Sequence, residues 1–299
     1  MRSDIAFPSD GVTLRGWLYR PDGFTGDRPA IVMAHGFSAV KEMHLGDFAE
    51  VFCAAGFVVM VYDHRNLGAS DGEPRGEIDP VAQIRGYRDA ITWLQEQPGV
   101  DTGRIGAWGS SYSGGHALVL AATDRRVKCV VAQVPAIDGW GTLQRLIRGD
   151  MIPLFRQQFD ADRAARYRGA APAMVPVVPD DPTGLGALPT ADSIDYFTRT
   201  SKERAPSWRN EVTLRSLEML SEYNPGSYIA RISPTPLLLV VALGDVLAPT
   251  DIALEAYERA LQPKRLLTLP GGHFDPYTGD TFKQNSAAQR DWFTEHLRP

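Results

Sequence analysis

Short apolar runs that do not alternate constrain this chain more than any other feature. They are Ala30–Ala34, Phe57–Tyr62, Ile105–Trp108, Val127–Ala132, Leu237–Ala242 and Leu266–Leu269. A strand with one face in water alternates apolar and polar residues. A run without alternation suits a strand buried on both faces, as in a parallel sheet covered by helices. Helical spacing lies between the runs: Ile84, Tyr87, Ile91 and Leu94 make one apolar stripe, and Phe282 to Leu297 reads as a closing helix. The early segment Val12–Tyr19 does alternate, as a half-solvated antiparallel pair would. Together these predict an α/β fold with a mostly parallel sheet, antiparallel at its start.

The pattern breaks between Ile137 and Tyr228. Spacing there is helical and irregular, with a Pro- and Gly-rich stretch at Ala171–Pro189 and a helix-like Glu211–Tyr223 stopped by Asn224-Pro225-Gly226. The expected organisation is therefore a core formed by residues 1–136 and 229–299, with residues 137–228 inserted as a helical lid or cap.

Composition removes several classes of function. With 299 residues, 43% of them hydrophobic, the chain can bury a sizeable core. A net charge of -5 argues against a nucleic-acid partner. The two cysteines, Cys53 and Cys129, both sit in apolar surroundings and read as buried free thiols. The start, Met1-Arg2-Ser3-Asp4, has no apolar signal-peptide core, and no run approaches the ~20 residues that cross a bilayer. No membrane partner and a cytoplasmic location are expected. His35, His44, His64, His116, His273 and His296 show no ligand spacing, and no phosphate-loop motif is present, so neither metal nor cofactor is expected.

The chemistry centres on Gly109-Ser110-Ser111-Tyr112-Ser113-Gly114-Gly115, between an apolar run and the helix-like Ala117–Ala122. A nucleophilic serine on a strand-to-helix turn needs small neighbours two places either side. Ser110 has Trp108 two places before it and Ser113 has Ser111; only Ser111 has glycine there. The pattern is G-x-S-x-S, and a Gly/Ser-rich turn without chemistry is its plainer reading. The partners should follow in the order acid, then histidine. Asp245 follows the 237–242 run and His273 follows the 266–269 run, both at strand ends, where ligand chemistry gathers in open α/β sheets. Asp138 is the alternative acid. The oxyanion donors should be backbone N–H groups, one from Tyr112 after the nucleophile and one from Phe37 after the first buried run. His35 lies too early in the order to be the base and reads as a structural turn residue. The arginines at 145, 148, 156, 163, 166, 168 and 199 read as a solvated face, with a site for substrate carboxylates as the alternative.

These residues resemble the α/β-hydrolase superfamily over nearly the whole chain. Tyr62-Asp63-His64-Arg65-Asn66-Leu67-Gly68-Ala69-Ser70-Asp71-Gly72 is similar to its D-x-R-G-x-G-x-S loop, with Asn66 where glycine is usual. Asp10–Gly16 and the Ser-Tyr-Ser-Gly-Gly elbow narrow the resemblance. It points to the branch holding dienelactone hydrolases, X-prolyl dipeptidyl peptidase-like esterases and polyketide transferases. Ser111 stands where a dienelactone hydrolase carries cysteine. The resemblance implies acyl transfer through a serine ester. The expected enzyme is thus a carboxylesterase-like serine hydrolase acting on a small-molecule ester, thioester, lactone or amide. An acyltransferase delivering to an alcohol is the alternative, and a non-catalytic binding protein on the same scaffold a remoter one. Among the large apolar residues of the insertion, Trp140 and Trp208 are the expected substrate contacts. Self-association into a homodimer is left open.

Overall fold

A computed structural model describes residues 1–23, 26–180 and 184–298. The chain opens with a hairpin of β1 (Arg2–Ser9) and β2 (Val12–Tyr19). Its two-residue turn has positive φ at both Asp10 and Gly11, the backbone of a tight hairpin whose twist matches the strands. Next come β3 (Arg28–Ala34), α1 (Leu45–Ala54), β4 (Val58–Tyr62), α2 (Pro80–Gln95), β5 (Val100–Ser110), α3 (Tyr112–Thr123) and β6 (Val127–Gln133). The start of α2 is set chemically: Asp79 accepts from the N–H groups of Val81 and Ala82, and Pro80 takes a position where no N–H is needed.

Between β6 and the next sheet strand lie α4 (Gly139–Leu146), α5 (Ile152–Tyr167), β7 (Met174–Val175), α6 (Ala191–Glu203), β8 (Val212–Thr213) and α7 (Leu214–Glu222). The chain then returns through β9 (Leu237–Ala242), α8 (Thr250–Arg259), β10 (Lys264–Leu269) and α9 (Gly279–Leu297). Eight strands form one sheet in the order β1-β2-β4-β3-β5-β6-β9-β10, and β7 pairs with β8 separately. From β4 to β10 all neighbours run parallel, while β1–β2 and β2–β4 are antiparallel.

Alternation along the buried strands sends side chains into two cores. Ile31, Met33, Val59, Val61, Val131 and Val240 face the layer with Phe48 and Phe52 of α1 and Phe293 of α9. Val32, Val58, Met60, Val130 and Leu239 face Tyr87 of α2, Leu118 of α3 and Ala256 of α8. Phe159, Tyr196, Phe197 and Leu217, from the segment between β6 and β9, belong to the first of these cores.

Some local expectations shift. The 266–269 run is not buried on both faces: β10 is the sheet's last strand, and Arg265 and Thr268 are exposed. The edge strand β1 has no counterpart in the expected pattern, because most of its side chains point to water. The helix expected over Glu211–Tyr223 begins only at Leu214. Val212 and Thr213 pair with Val175 and Met174, and the Thr213 side chain caps the helix through the Ser216 N–H. Of the cysteines, Cys129 is buried but Cys53 only half-buried. Part of the Ala171–Pro189 stretch, residues 181–183, lies outside the described residues.

Candidate active site

β5 ends at Ser110 and α3 begins at Tyr112, so Ser111 alone makes the turn between them. Its φ of 57° and ψ of -119° are strained for a residue with a Cβ. The turn is tight enough that a side chain at position 109 would overlap the Ser113 backbone. The glycines at 114 and 115 serve a different contact. A Cβ at Gly114 would come 2.9 Å from Pro135, and one at Gly115 2.6 Å from the Ala136 carbonyl, so they let α3 pack against the chain leaving β6.

Two further loops meet this turn. The loops after β9 and β10 are joined backbone to backbone, Leu243 N–H to Leu269 O at 2.9 Å and Gly244 N–H to Gly271 O at 2.8 Å. Asp245 and His273 project from them. His273 Nε2 lies 2.9 Å from Ser111 Oγ, and His273 Nδ1 lies 2.7 Å from Asp245 Oδ2. The other Asp245 oxygen accepts the N–H groups of Leu247 and Ala248. Gly271, at φ 88°, leaves room for the Asp275 carboxylate, which accepts the Gly272 N–H at 2.6 Å and braces the turn before the histidine. The alternative acid, Asp138, sits instead at the start of α4, beside Gly141.

Two backbone segments lie against Ser111. Tyr112 is the first residue of α3, whose opening N–H groups have no partner within the helix. On the other side, a Cβ at Gly36 would fall 2.7 Å from Ser111 Cβ, so the backbone after β3 runs against the Ser111 turn. The Gly36 N–H is already taken, since it donates to His35 Nδ1 at 2.8 Å. The His35 ring Nε2–H donates to the Met43 carbonyl at 2.8 Å, and burial pushes its pKa down to about 3. A neutral imidazole tying two backbone segments is what a structural turn residue looks like.

The model of the X-Pro dipeptidyl-peptidase (S15) family matches residues 10–275. The chain belongs to that family. It is a hydrolase-class enzyme on the α/β-hydrolase fold. It is similar to the polyketide transferase GrgF of a Penicillium species, with 36% identity covering 99% of this chain and 97% of the relative. The crystal structure of GrgF superposes with a TM-score of 0.87 over the full length of both chains at 33% identity. A thiohydrolase, AneE of Aspergillus aculeatus, is 36% identical over 88% of this chain and 83% of its own. The quorum-quenching protein AidA of Acinetobacter baumannii is 32% identical over 97% and 93% respectively.

The other serines of this S15-family elbow are also engaged. Ser110 Oγ bonds the Tyr277 hydroxyl and accepts from Gln133 Nε2 at 3.0 Å. Gln133 in turn holds Asn285 and Gln289 of α9 at 2.6 and 2.8 Å. Ser113 Oγ donates to the His35 carbonyl and lies 2.8 Å from His64 Nε2. None of these ties was expected; the one local signal was a serine at position 113 where glycine is usual.

The two tryptophans expected to contact substrate each have partners within the fold. Trp208 Nε1 donates to the Ser38 carbonyl at 3.0 Å, next to Phe37, and its ring stacks on Phe197. Trp140, on α4, carries the Arg156 guanidinium over its face. Between the helices lies an apolar cavity of about 360 Å³, lined among others by Leu143, Leu146, Phe155, Phe159, Leu217 and Leu220. Leu146 and Pro189 also line a second cavity, about 660 Å³, that reaches Asp245. Of the arginines expected on this segment, Arg145, Arg148, Arg163, Arg166 and Arg199 all face carboxylates. Among the described residues, no three His, Cys, Asp or Glu side chains gather as a metal site requires, and no helix is long and apolar enough to cross a membrane.

Proposed function

We propose that this enzyme is a serine hydrolase that opens a carboxylic ester, or a related acyl bond such as a thioester, through an acyl-enzyme on Ser111. The observation that carries the reading is the continuous line from Ser111 Oγ through His273 to Asp245, at 2.9 and 2.7 Å, ending on a strained strand-to-helix turn. In this reading His273 Nε2 takes the Ser111 proton as Oγ bonds the carbonyl carbon. Asp245 holds Nδ1–H and so keeps Nε2 free to accept. The carbonyl oxygen becomes an anion that accepts from the Phe37 and Tyr112 N–H groups, each worth roughly 3 kcal/mol of barrier. The tetrahedral adduct then collapses, and the leaving alcohol or thiol departs with the proton from His273. Water, deprotonated by His273, attacks the acyl carbon, and Ser111 recovers its proton as the acid is released.

The relatives named as thiohydrolases support a thioester among the bonds cleaved. Those named as polyketide transferases favour a second reading, in which an alcohol replaces water in the last step. Residues 137–228 act in this reading as a cap that shapes the acyl site.

The test is a panel of p-nitrophenyl esters and matched thioesters of graded chain length, with Ser111→Ala beside the wild type. The expected result is turnover and fluorophosphonate labelling that both vanish in the variant. Full labelling of Ser111→Ala would move the nucleophile to another serine. Product analysis with added alcohols separates hydrolysis from transfer.

A further inference from the structure

Ser113 stands two residues past Ser111, where a G-x-S-x-G turn would carry a residue with no side chain. Its hydroxyl is completely buried, so both its proton and its lone pairs must be satisfied inside the protein. The proton goes to the His35 carbonyl. A hydroxyl has only one proton, so toward His64 Nε2, 2.8 Å away, it can only accept. His64 is therefore the Nε2–H tautomer. Its other nitrogen fits this assignment: Nδ1 is buried with no partner among the described residues, and a bare lone pair there is less costly than an orphaned N–H. Burial pushes the His64 pKa down to about 3, so the ring stays a neutral, one-sided donor. Nearby, the Tyr87 hydroxyl donates to the Trp108 carbonyl, and its oxygen also meets the Ser113 hydroxyl.

The residue at the receiving end is what gives this chain of bonds a consequence. The His35 carbonyl belongs to the peptide immediately before Gly36 and Phe37. The His35 ring already fixes the Gly36 N–H and the Met43 carbonyl. With Ser113 holding the carbonyl, the 35–36 peptide is pinned at both its polar atoms. Ser113 itself lies in the first turn of α3, one residue beyond Tyr112. One side chain thus joins the loop after β3, which carries one oxyanion donor, to the helix end that carries the other.

We infer that Ser113, oriented by His64, is a positioning residue that sets the Phe37 N–H relative to the Tyr112 N–H and Ser111 Oγ. It touches no substrate. The inference rests on the reading of Ser111 as nucleophile and of positions 37 and 112 as oxyanion donors.

The variants are Ser113→Ala, His64→Phe, which keeps a ring but loses the donor, and His64→Gln, which keeps an N–H donor. Working sites are counted by fluorophosphonate labelling, so that kcat refers to folded, reactive enzyme. Turnover is read with p-nitrophenyl butyrate, and oxyanion binding with an aryl trifluoromethyl ketone that a serine captures as a tetrahedral anion. Because displacing a transition-state contact by a fraction of an ångström costs heavily, Ser113→Ala and His64→Phe should lower kcat about 10- to 100-fold. KM should stay within about twofold, the ketone should weaken in parallel with kcat, and His64→Gln should recover most of the loss. A packing role alone would lower thermal stability and leave kcat per working site and ketone affinity at wild-type values, and that result overturns the inference. Equal losses in His64→Phe and His64→Gln would overturn it too. Should Ser113→Ala fail to accumulate, the two His64 variants decide the question. Wild-type protein that takes no label would instead sink the underlying reading of Ser111, a separate and recognisable outcome.

Discussion

Asp245 divides its two carboxylate oxygens between two tasks: Oδ2 lies 2.7 Å from His273 Nδ1, while Oδ1 accepts the N–H groups of Leu247 and Ala248 at 2.9 and 2.8 Å. The backbone bonds hold the carboxylate still, so the histidine meets an acceptor already aimed at it. Asp245→Asn keeps the shape and one acceptor oxygen but can present an N–H to Nδ1, favouring the wrong tautomer. We expect kcat to fall by about 10⁴ with little change in thermal stability. Asp138→Asn should leave kcat within about threefold, since Asp138 lies at the start of α4 and His273 is already engaged by Asp245. The reverse ranking of the two variants would reassign the acid.

On the other side of the turn, Tyr277 and Ser110 tie the histidine loop to the end of β5. Tyr277→Phe deletes one hydroxyl from a fully buried network and leaves Ser110 and Gln133 to pair with each other. The expected cost is about 1–2 kcal/mol of unfolding free energy, seen as a lower urea midpoint at unchanged slope. A midpoint equal to that of the wild type would mean that the hydroxyl contact adds nothing to stability.

These ties also show where sequence reasoning stops. The central strands were legible because burial on both faces leaves only apolar residues, as in Val58–Tyr62 and Leu237–Ala242. That Ser111, Asp245 and His273 would lie together was legible because order along the chain and strand ends together pick out few residues. The strand β1 was not, since an edge strand with Ser3, Asp4 and Ala6 exposed has no apolar run to betray it. Buried polar pairs such as Ser113 with His35, or Ser110 with Tyr277, leave no periodic trace. Their partners lie 78 and 167 residues apart, and only the folded sheet brings them together.

Stability should depend steeply on acidity, and the sign follows from three buried histidines. Burial depresses His35 and His64 to about 3, and pushes His116, held between Gln83 and Tyr223, well below its ordinary value. In the unfolded chain the same rings take up protons near pH 6.5. Between that value and the depressed ones the unfolded state binds more protons, so stability is complete above about pH 6.5 and is lost as pH falls. Each ring contributes about 1.4 kcal/mol per pH unit inside that window. Urea midpoints measured from pH 7 to pH 4 should fall, and His64→Phe should flatten the slope by roughly one ring's share. An unchanged slope in that variant would show that His64 is protonated in the native state.

The last prediction concerns the segment over the sheet. Its apolar cavity and the cavity that reaches Asp245 share Leu146 and Pro189, so Leu146 stands at the junction between them. If acyl chains extend from Ser111 into the apolar cavity, this junction is the passage that long chains must use and short ones need not. Leu146 is only half-buried, so a larger side chain can be accommodated there without disrupting the core. Leu146→Trp should leave kcat/KM for p-nitrophenyl acetate within about twofold, and lower it for the decanoate ester about tenfold or more, mainly through KM. A parallel loss on both esters would indicate a general disturbance of the site. An unaltered chain-length profile would place specificity in the loops at the sheet's edge, around Phe37 and Val246, and not in the helices above them.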